Sequence, residues 1–567
     1  MTTPSTRFKD LQAKLAAIKS AQANKPKPRL LSTLDQESTP ATTLLTSIPH
    51  NPITSTGTDR HGNTITYNHA QQQAIDLITS GQSCVVIGAA GTGKTTIQKA
   101  STAGLLQSGK ILPQLNQDHK YLSAKSPGIA IVAYTRRATN NIRKNMSEEL
   151  QPCCITIHKL LEYAPVEVFI TDPETGKEKR SMRFEPQRNA QNTLPSNIHT
   201  IIIEEASMVS LQLFNEIVEA SPHNPQIVFL GDIQQLPPVF GSAILGYKML
   251  ELPVVELTEV HRQALDSPIL SLAHRILSGK PITPAELPPL NVPNKLKLHP
   301  WKKRISSEAA TITLAKFFIQ QLDTNQYNPE TDGILIPFNK SCGTDELNKH
   351  IATRIAQRNQ EPVYEIIHGF KKSYYSVGDK CLYEREDAII QSIEPNPQYT
   401  GITPQLASTS LNYWGHHSGD QHSNESSDDV DIDQIMAAIS LPSSEDEPTV
   451  RAASHTITLQ LLDSDRTITI RSAGEIDALI LGYAITVHKS QGSEWDKVYL
   501  CFHQSHSTML QRELLYTAVT RAKHELFCIC EPDTFEKGIV RQRIKGSTWQ
   551  EKAEHFKGRL EQNIVQS

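Results

Sequence analysis

The chain has 567 residues, with 56 Lys+Arg against 60 Asp+Glu, a formal net charge of −4, and 38% hydrophobic residues. At roughly 150 residues per domain this length predicts about three to four domains, and the composition excludes a wholly disordered or fibrous protein. No apolar run nears the roughly 20 residues that span a bilayer, the N-terminal stretch MTTPSTRFKDLQAKL has no apolar leader core, and the eight cysteines are scattered without a CxxC pair. These features predict a reduced, cytoplasmic setting, no membrane partner and no secretory leader.

Residues 1–30 carry seven basic side chains (Arg7, Lys9, Lys14, Lys19, Lys25, Lys27, Arg29) and one acid, Asp10. Phe8, Leu11, Leu15 and Ile18 recur at helical spacing, which predicts a short amphipathic helix. Pro, Ser and Thr dominate 31–58, so 1–66 reads as a basic arm and linker, either a solvated tail or a docking element for DNA or a partner protein. From Tyr67 onward apolar strands alternate with helical patterns: Cys84–Gly88, Ile129–Tyr134, Thr200–Ile203 and Gln226–Leu230, then Gly333–Pro337, Ile480–Thr486, Lys497–Phe502 and Leu526–Cys530. Strands of this kind predict an α/β fold, with parallel sheets whose sites lie at the carboxyl ends of the strands. The first domain is read over 67–260, and the second over 261–375 and 475–567.

Two insertions interrupt this rhythm. Within 164–196, Val166–Asp172 and Arg180–Pro186 alternate around PETGKEK, a β-hairpin signal; Phe169, Met182 and Phe184 are either its core or bases' stacking partners. The second insertion, 376–474, reads as β-rich at both ends. Its middle, 419–448, holds nine acids and no Lys or Arg, the pattern of a disordered loop. His416, His417 and His422 lie beside it without metal-ligand spacing. The small net charge therefore averages an acidic loop with a basic arm, and it does not argue against nucleic acid.

The segment Cys84-Val-Val-Ile-Gly88-Ala-Ala-Gly91-Thr92-Gly93-Lys94-Thr95-Thr96 places GxxxxGK[ST] between a strand and a helix. Glycines let the backbone curl so that its N–H groups face phosphates, Lys94 reaches the β/γ-phosphates, and the Thr95 hydroxyl binds Mg²⁺. The next strand ends in Glu204-Glu205, where one carboxylate can hold Mg²⁺ and the other orient or deprotonate the attacking water. A third leads into Gly231-Asp232-Ile-Gln234-Gln235, with Gln235 placed to sense the γ-phosphate.

Together these motifs resemble a superfamily-one helicase of the RecD/Dda-like branch, which moves 5′ to 3′. Tyr67-Asn68-His-Ala-Gln71 resembles the Q motif, with Gln71 at the adenine-reading position. Thr135-Arg136-Arg137-Ala138 resembles motif Ia, Thr156-Ile-His158 motif Ib, and Val260-His261-Arg262-Gln263 motif IV. Thr486-Val-His488-Lys489-Ser-Gln491-Gly492-Ser-Glu494-Trp495 resembles motif V, and Leu515-Tyr516-Thr-Ala-Val-Thr520-Arg521-Ala522 motif VI. Motif II departs from the usual Asp-Glu by having Glu204. The insertion begins with a family-like Gly378-Asp379-Lys380 and lacks the usual Asn-Gly further on.

The resemblance implies two RecA-like motor domains of the P-loop NTPase fold, a pin at the hairpin, and an SH3-like second insertion. ATP would bind to Gln71, Gly88, Gly91, Thr92, Gly93, Lys94, Thr95, Thr96, Gly492 and Glu494. Lys94, Glu204, Glu205, Gln235, Arg262 and Arg521 would serve catalysis, and Thr95 and Glu204 would hold Mg²⁺. Thr135, Arg136, Thr156, His158, Thr486 and His488 would touch single-stranded DNA, and ss/ds junctions would meet the pin. The implied activity is ATP-dependent unwinding of DNA, in replication, recombination or repair, within the nucleoid or a host cell's cytoplasm. The motifs alone also allow an RNA helicase, or a nucleotide-switched loader that binds DNA without unwinding.

Overall fold

Cys84–Gly88 is buried along its whole length, as a strand covered by helices on both faces must be. The computed structural model describes residues 56–58, 64–107, 128–171, 178–238, 242–260, 267–280, 296–300, 304–369, 371–383, 386–399, 452–462, 466–531 and 533–566. All of them fall within one compact unit, Ile53–Ser567. The basic arm, Arg262, the hairpin tip 172–177 and the acidic loop 419–448 lie outside the described residues.

Among the described residues, the first sheet runs Val254–Leu257, Cys84–Gly88, Gln226–Gly231, Ile198–Ile203, Gly128–Ala133, Cys154–Thr156. Every neighbouring pair is parallel, so the phosphate-loop strand, the acid-pair strand and the Gln235 strand open at one edge. Helix His69–Ser80 leads into this sheet. Asn68 accepts from Gln71 N–H at 2.8 Å and its own N–H donates to Gln71 Oε1 at 3.1 Å, a reciprocal cap encoded by Asn-x-x-Gln. Gly81 ends the helix at φ 92, a left-handed turn that glycine adopts without steric cost.

The second sheet is also parallel, in the order Leu296–Pro300, Ala522–Cys530, Trp495–Phe502, Asp332–Ile336, Ala484–Thr486. The α/β expectation of two parallel-sheet domains holds, with four differences in detail. The predicted strand Ile480–Thr486 breaks in two: Ile480–Leu481 pairs antiparallel with Lys380–Tyr383, and only Ala484–Thr486 enters the parallel sheet. Gly482 makes the break possible, because its N–H bonds to the Lys380 carbonyl at 2.8 Å and a Cβ there would lie 3.1 Å from the Cys381 backbone.

The insertion is an antiparallel sheet of Arg466–Ser472, Ala452–Leu461, Glu386–Pro395, Lys380–Tyr383 and Ile480–Leu481. Ile366 and Tyr375, from the hairpin Tyr364–His368/Lys371–Tyr375, share its apolar core. The insertion's packing therefore starts ahead of residue 376, because that hairpin buries its apolar face there. Upstream, Thr56–Thr58 pairs with Thr64–Thr66, so the end of the expected linker is a small antiparallel ribbon.

The largest difference is at the C-terminus. Residues 475–567 were all expected in the second domain, yet helix Trp549–Gln566 lies on the first. Trp549, Ala553 and Phe556, four and three residues apart, form an apolar face that joins the first domain's core. Tyr247 Oη donates to the Phe556 carbonyl at 3.3 Å. A Cβ at Gly246 would come within 2.6 Å of the Phe556 ring.

Candidate nucleotide site and nucleic-acid interface

The phosphate loop turns twice through left-handed glycines, Gly91 at φ 83 and Gly93 at φ 92, which exposes consecutive backbone N–H groups to one side. Gly88 packs so closely that a Cβ would lie 2.4 Å from Thr92 Oγ1. Thr92 is buried and its hydroxyl donates to the Ala89 carbonyl at 2.9 Å. Lys94 folds over the loop, with Nζ donating to the carbonyls of Gly88 at 2.5 Å and Ala89 at 3.2 Å. Thr95 and Thr96 follow it on the first turn of helix Lys94–Gln107. Gln71 is buried and its amide donates to the Thr92 carbonyl at 3.2 Å, so the Q motif buttresses the loop directly.

Glu204 and Glu205 emerge where the Ile198–Ile203 strand ends. Burial and the neighbouring Glu205 carboxylate push Glu204 up to about 8, while Lys94 pulls it the other way. Glu205 sits at φ 49, a left-handed conformation that costs a non-glycine residue about 1–2 kcal/mol. Gln235 is buried, and its Oε1 has no hydrogen-bond partner among the described residues.

The second domain meets this edge. Tyr516, fully buried on helix Arg512–Val519, accepts from Ala90 N–H at 2.8 Å and donates to Asp232 Oδ2 at 2.6 Å. Thr517 Oγ1 accepts from Leu236 N–H at 3.0 Å, and Gln491 donates to the Leu236 carbonyl at 2.9 Å. Arg521 is buried and donates to neutral oxygens: the Thr517 carbonyl at 2.9 Å, the Ser493 carbonyl at 3.2 Å and Thr520 Oγ1 at 3.2 Å. Lys552, on the C-terminal helix, donates to Gln234 Oε1. Tyr516, Thr517, Gln491 and Lys552 carry no role in the sequence reading; only the three-dimensional contact reveals them.

Two further residues expected at ATP make other contacts in this arrangement. Gly492, at φ 76, faces motif Ia: its Cβ would lie 2.7 Å from both Ala138 Cβ and Thr135 Oγ1. Glu494 is exposed and pairs with Lys523 at 3.9 Å.

The residues expected at nucleic acid gather around the carboxyl ends of the Gly128–Ala133, Cys154–Thr156 and Ala484–Thr486 strands. Thr135 and Thr156 cap short helices, accepting from Ala138 and Lys159 N–H, each at 3.1 Å. His158 lies between Tyr134 and Tyr163, with ring centroids 5.4 and 4.9 Å away. Burial and the nearby Arg543 cation push His488 down to about 4, so it offers a hydrogen bond rather than a charge near neutral pH. Thr486 is buried and accepts from Lys489 N–H at 3.4 Å. Arg136 and Arg137 are paired with Glu386 and Asp387 of the insertion, a link the sequence did not suggest. Phe184 on the hairpin is 67% exposed, which removes it from the core.

The two parallel sheets and the glycine-bent phosphate loop have the architecture of a P-loop fold with two RecA-like domains. Residues 71–241 match the AAA domain family model, and 481–529 match that of the UvrD-like helicase C-terminal domain. The chain is 24% identical over 489 residues to the ATP-dependent RecD2 DNA helicase of Deinococcus radiodurans, covering 84% of this chain and 51% of that protein. It is 23% identical over 516 residues to the RecBCD enzyme subunit RecD of Mycobacterium tuberculosis strain H37Rv, covering 84% and 72%. Thus it spans about half the length of the Deinococcus relative. The solved Pif1 helicase from Candida albicans covers 88% of this chain and is covered whole, at 16% identity and a TM-score of 0.39. The resemblance read from the motifs is borne out as a similarity: the chain is similar to RecD2 and RecD helicases over most of its own length.

Proposed function

We propose that the chain is an ATP-driven DNA helicase that moves 5′ to 3′ along single-stranded DNA and separates the duplex ahead of it. The observation that carries this reading is the cleft itself: motif VI, from the second domain, reaches the phosphate loop and the Asp232 turn of the first. Nucleotide chemistry on one side is thereby tied to domain position on the other.

ATP would lie on the loop N–H groups, with Lys94 leaving the Gly88 and Ala89 carbonyls to meet the phosphates. The donor set suits Mg²⁺: the Thr95 hydroxyl and the Glu204 carboxylate are hard oxygens, and the mutual repulsion of Glu204 and Glu205 is relieved by a divalent cation. Mg²⁺ held by Thr95 and Glu204 would neutralise phosphate charge. Glu205 would orient the attacking water, with the Gln235 oxygen as a second acceptor. Arg521, buried against neutral oxygens, suits the charge that develops on the transferring phosphoryl group, and Arg262 is proposed as its counterpart.

Single-stranded DNA would run over motifs Ia, Ib and V, held at Thr135, Arg136, Thr156, His158, Thr486 and His488. Phe184 would meet the junction. Such binding is tolerant of sequence and weakens steeply with salt. The arm and the acidic loop remain proposed docking elements for a partner.

The test is ATP turnover with matched DNA and RNA oligonucleotides, for the wild type and Lys94→Ala. Stimulation by DNA, abolished in Lys94→Ala, is expected. Stimulation by RNA alone would replace the substrate, and near-normal turnover in Lys94→Ala would displace the site.

A further inference from the structure

The hydroxyl of Tyr516 belongs to the second domain by its ring and to the first by its hydrogen bonds. The ring is fully buried in the second domain's apolar core, where Ala90 of the phosphate loop and Leu236 also pack. A phenol has one proton to give and lone pairs to receive. Here the proton goes to Asp232 Oδ2 at 2.6 Å, and a lone pair accepts Ala90 N–H at 2.8 Å. Asp232 is buried, and its other oxygen accepts from Gln234 N–H at 2.9 Å. Burial and the Asp232 carboxylate push the phenol's pKa well up, so it stays a donor at any working pH.

The neighbouring bonds continue this contact toward the strand-facing surface. Gln491, in the turn after Thr486 and His488, holds the Leu236 carbonyl, and Thr517, next to Tyr516, holds the Leu236 N–H. The turn Asp232–Leu236 is thus bonded to motif V at Leu236 and to Tyr516 at Asp232, and Tyr516 is bonded in turn to Ala90.

We propose that Tyr516 is a positioning residue that ties the phosphate loop to the second domain, so that occupancy of the strand-facing surface sets the loop's geometry and thereby the rate of hydrolysis. This rests on the motor reading above. The phenol does not touch the reacting atoms; it acts through the loop backbone at Ala90 and through Asp232. Removing the hydroxyl unties the loop from the second domain while leaving the phosphate-binding groups of the first in place.

The test is the stimulation ratio, meaning ATP turnover with oligothymidine divided by turnover without it, in the wild type and in Tyr516→Phe. The expected result is a ratio about tenfold lower in Tyr516→Phe, with KM for ATP within about threefold of wild type. A purely structural role would scale both rates together and leave the ratio unchanged, which would overturn the proposal. So would a variant indistinguishable from wild type. A second measurement needs no variant: hydrogen exchange of the peptide spanning 84–94 in the wild type, with and without oligothymidine. Protection of that segment should change when the oligonucleotide binds, and identical exchange would overturn the coupling. If the wild type shows no stimulation by any oligonucleotide, the motor reading fails first, and that outcome is separate from a stimulated wild type whose ratio survives in Tyr516→Phe.

Discussion

Gly492→Ala isolates the contact between motif V and motif Ia. At φ 76 an alanine is strained, and its Cβ would lie 2.7 Å from Ala138 Cβ, 2.7 Å from Thr135 Oγ1 and 3.2 Å from Ala138 Cα. The backbone strain is about 1–2 kcal/mol and is present wherever the turn keeps its conformation. The overlap is different, because it exists only while the turn rests on helix Arg136–Asn145. Overpacking of this kind costs about 1–3 kcal/mol, and at 1.36 kcal/mol per tenfold the populated contact falls about 5- to 150-fold. Gly81→Ala is the matched control: φ is 92, and a Cβ there meets nothing within 4 Å, so it carries strain without overlap. DNA-stimulated kcat/KM for ATP, with thermal melting in parallel, reads the two apart. Gly492→Ala should lose stimulation by a factor in that range, whereas Gly81→Ala should shift melting alone. Equal activity in the two variants would refute the idea that the motif V turn must seat against motif Ia.

Other perturbations address separate parts of the account. The double variant Glu386→Gln/Asp387→Asn frees Arg136 and Arg137 from their carboxylate partners; it should tighten single-stranded DNA binding and steepen its log–log salt slope by up to about 1.4, taking about 0.7 per phosphate contact, as read by anisotropy titrations at several salt concentrations. Glu204→Gln should keep nucleotide binding but lower Mg²⁺-dependent turnover at least about a hundredfold, in line with removal of a group that stabilises transition-state charge, measured by steady-state ATPase beside equilibrium binding of a labelled nucleotide. Phe556→Ala should destabilise the chain by about 2 kcal/mol, below the range for a fully buried phenylalanine because this one is half-buried, which urea denaturation checks. Phe184→Ala should change stability by less than about 0.5 kcal/mol, as exposed substitutions do, while lowering duplex separation more than ATP turnover.

The sequence made the two sheets visible because their strands are short apolar runs buried on both faces, a local property. The phosphate loop was legible for a related reason: Gly91, Gly93 and Lys94 do their work within a few residues of each other. What the sequence hid was long-range pairing. Tyr516 and Asp232 are 284 positions apart, and Arg136 and Glu386 are 250 apart; in each case both partners read singly as ordinary motif or surface residues. The C-terminal helix differs from its expected place because its face of Trp549, Ala553 and Phe556 announces that it must pack, but not on which domain. Ile480–Thr486 looks like one strand because a single glycine, Gly482, does not advertise that its two sides join different sheets. Arg136 suits a phosphate contact by residue type, while its observed partner is a carboxylate from the β-rich insertion, a pairing that no motif specifies.

Strand separation on forked duplexes with a single tail reports both unwinding and its direction. With ATP and Mg²⁺, a DNA fork carrying only a 5′ single-stranded tail should be unwound, and one carrying only a 3′ tail should stay annealed. Unwinding confined to the 3′-tailed fork, or turnover of ATP on both with no strand released from either, would contradict the account.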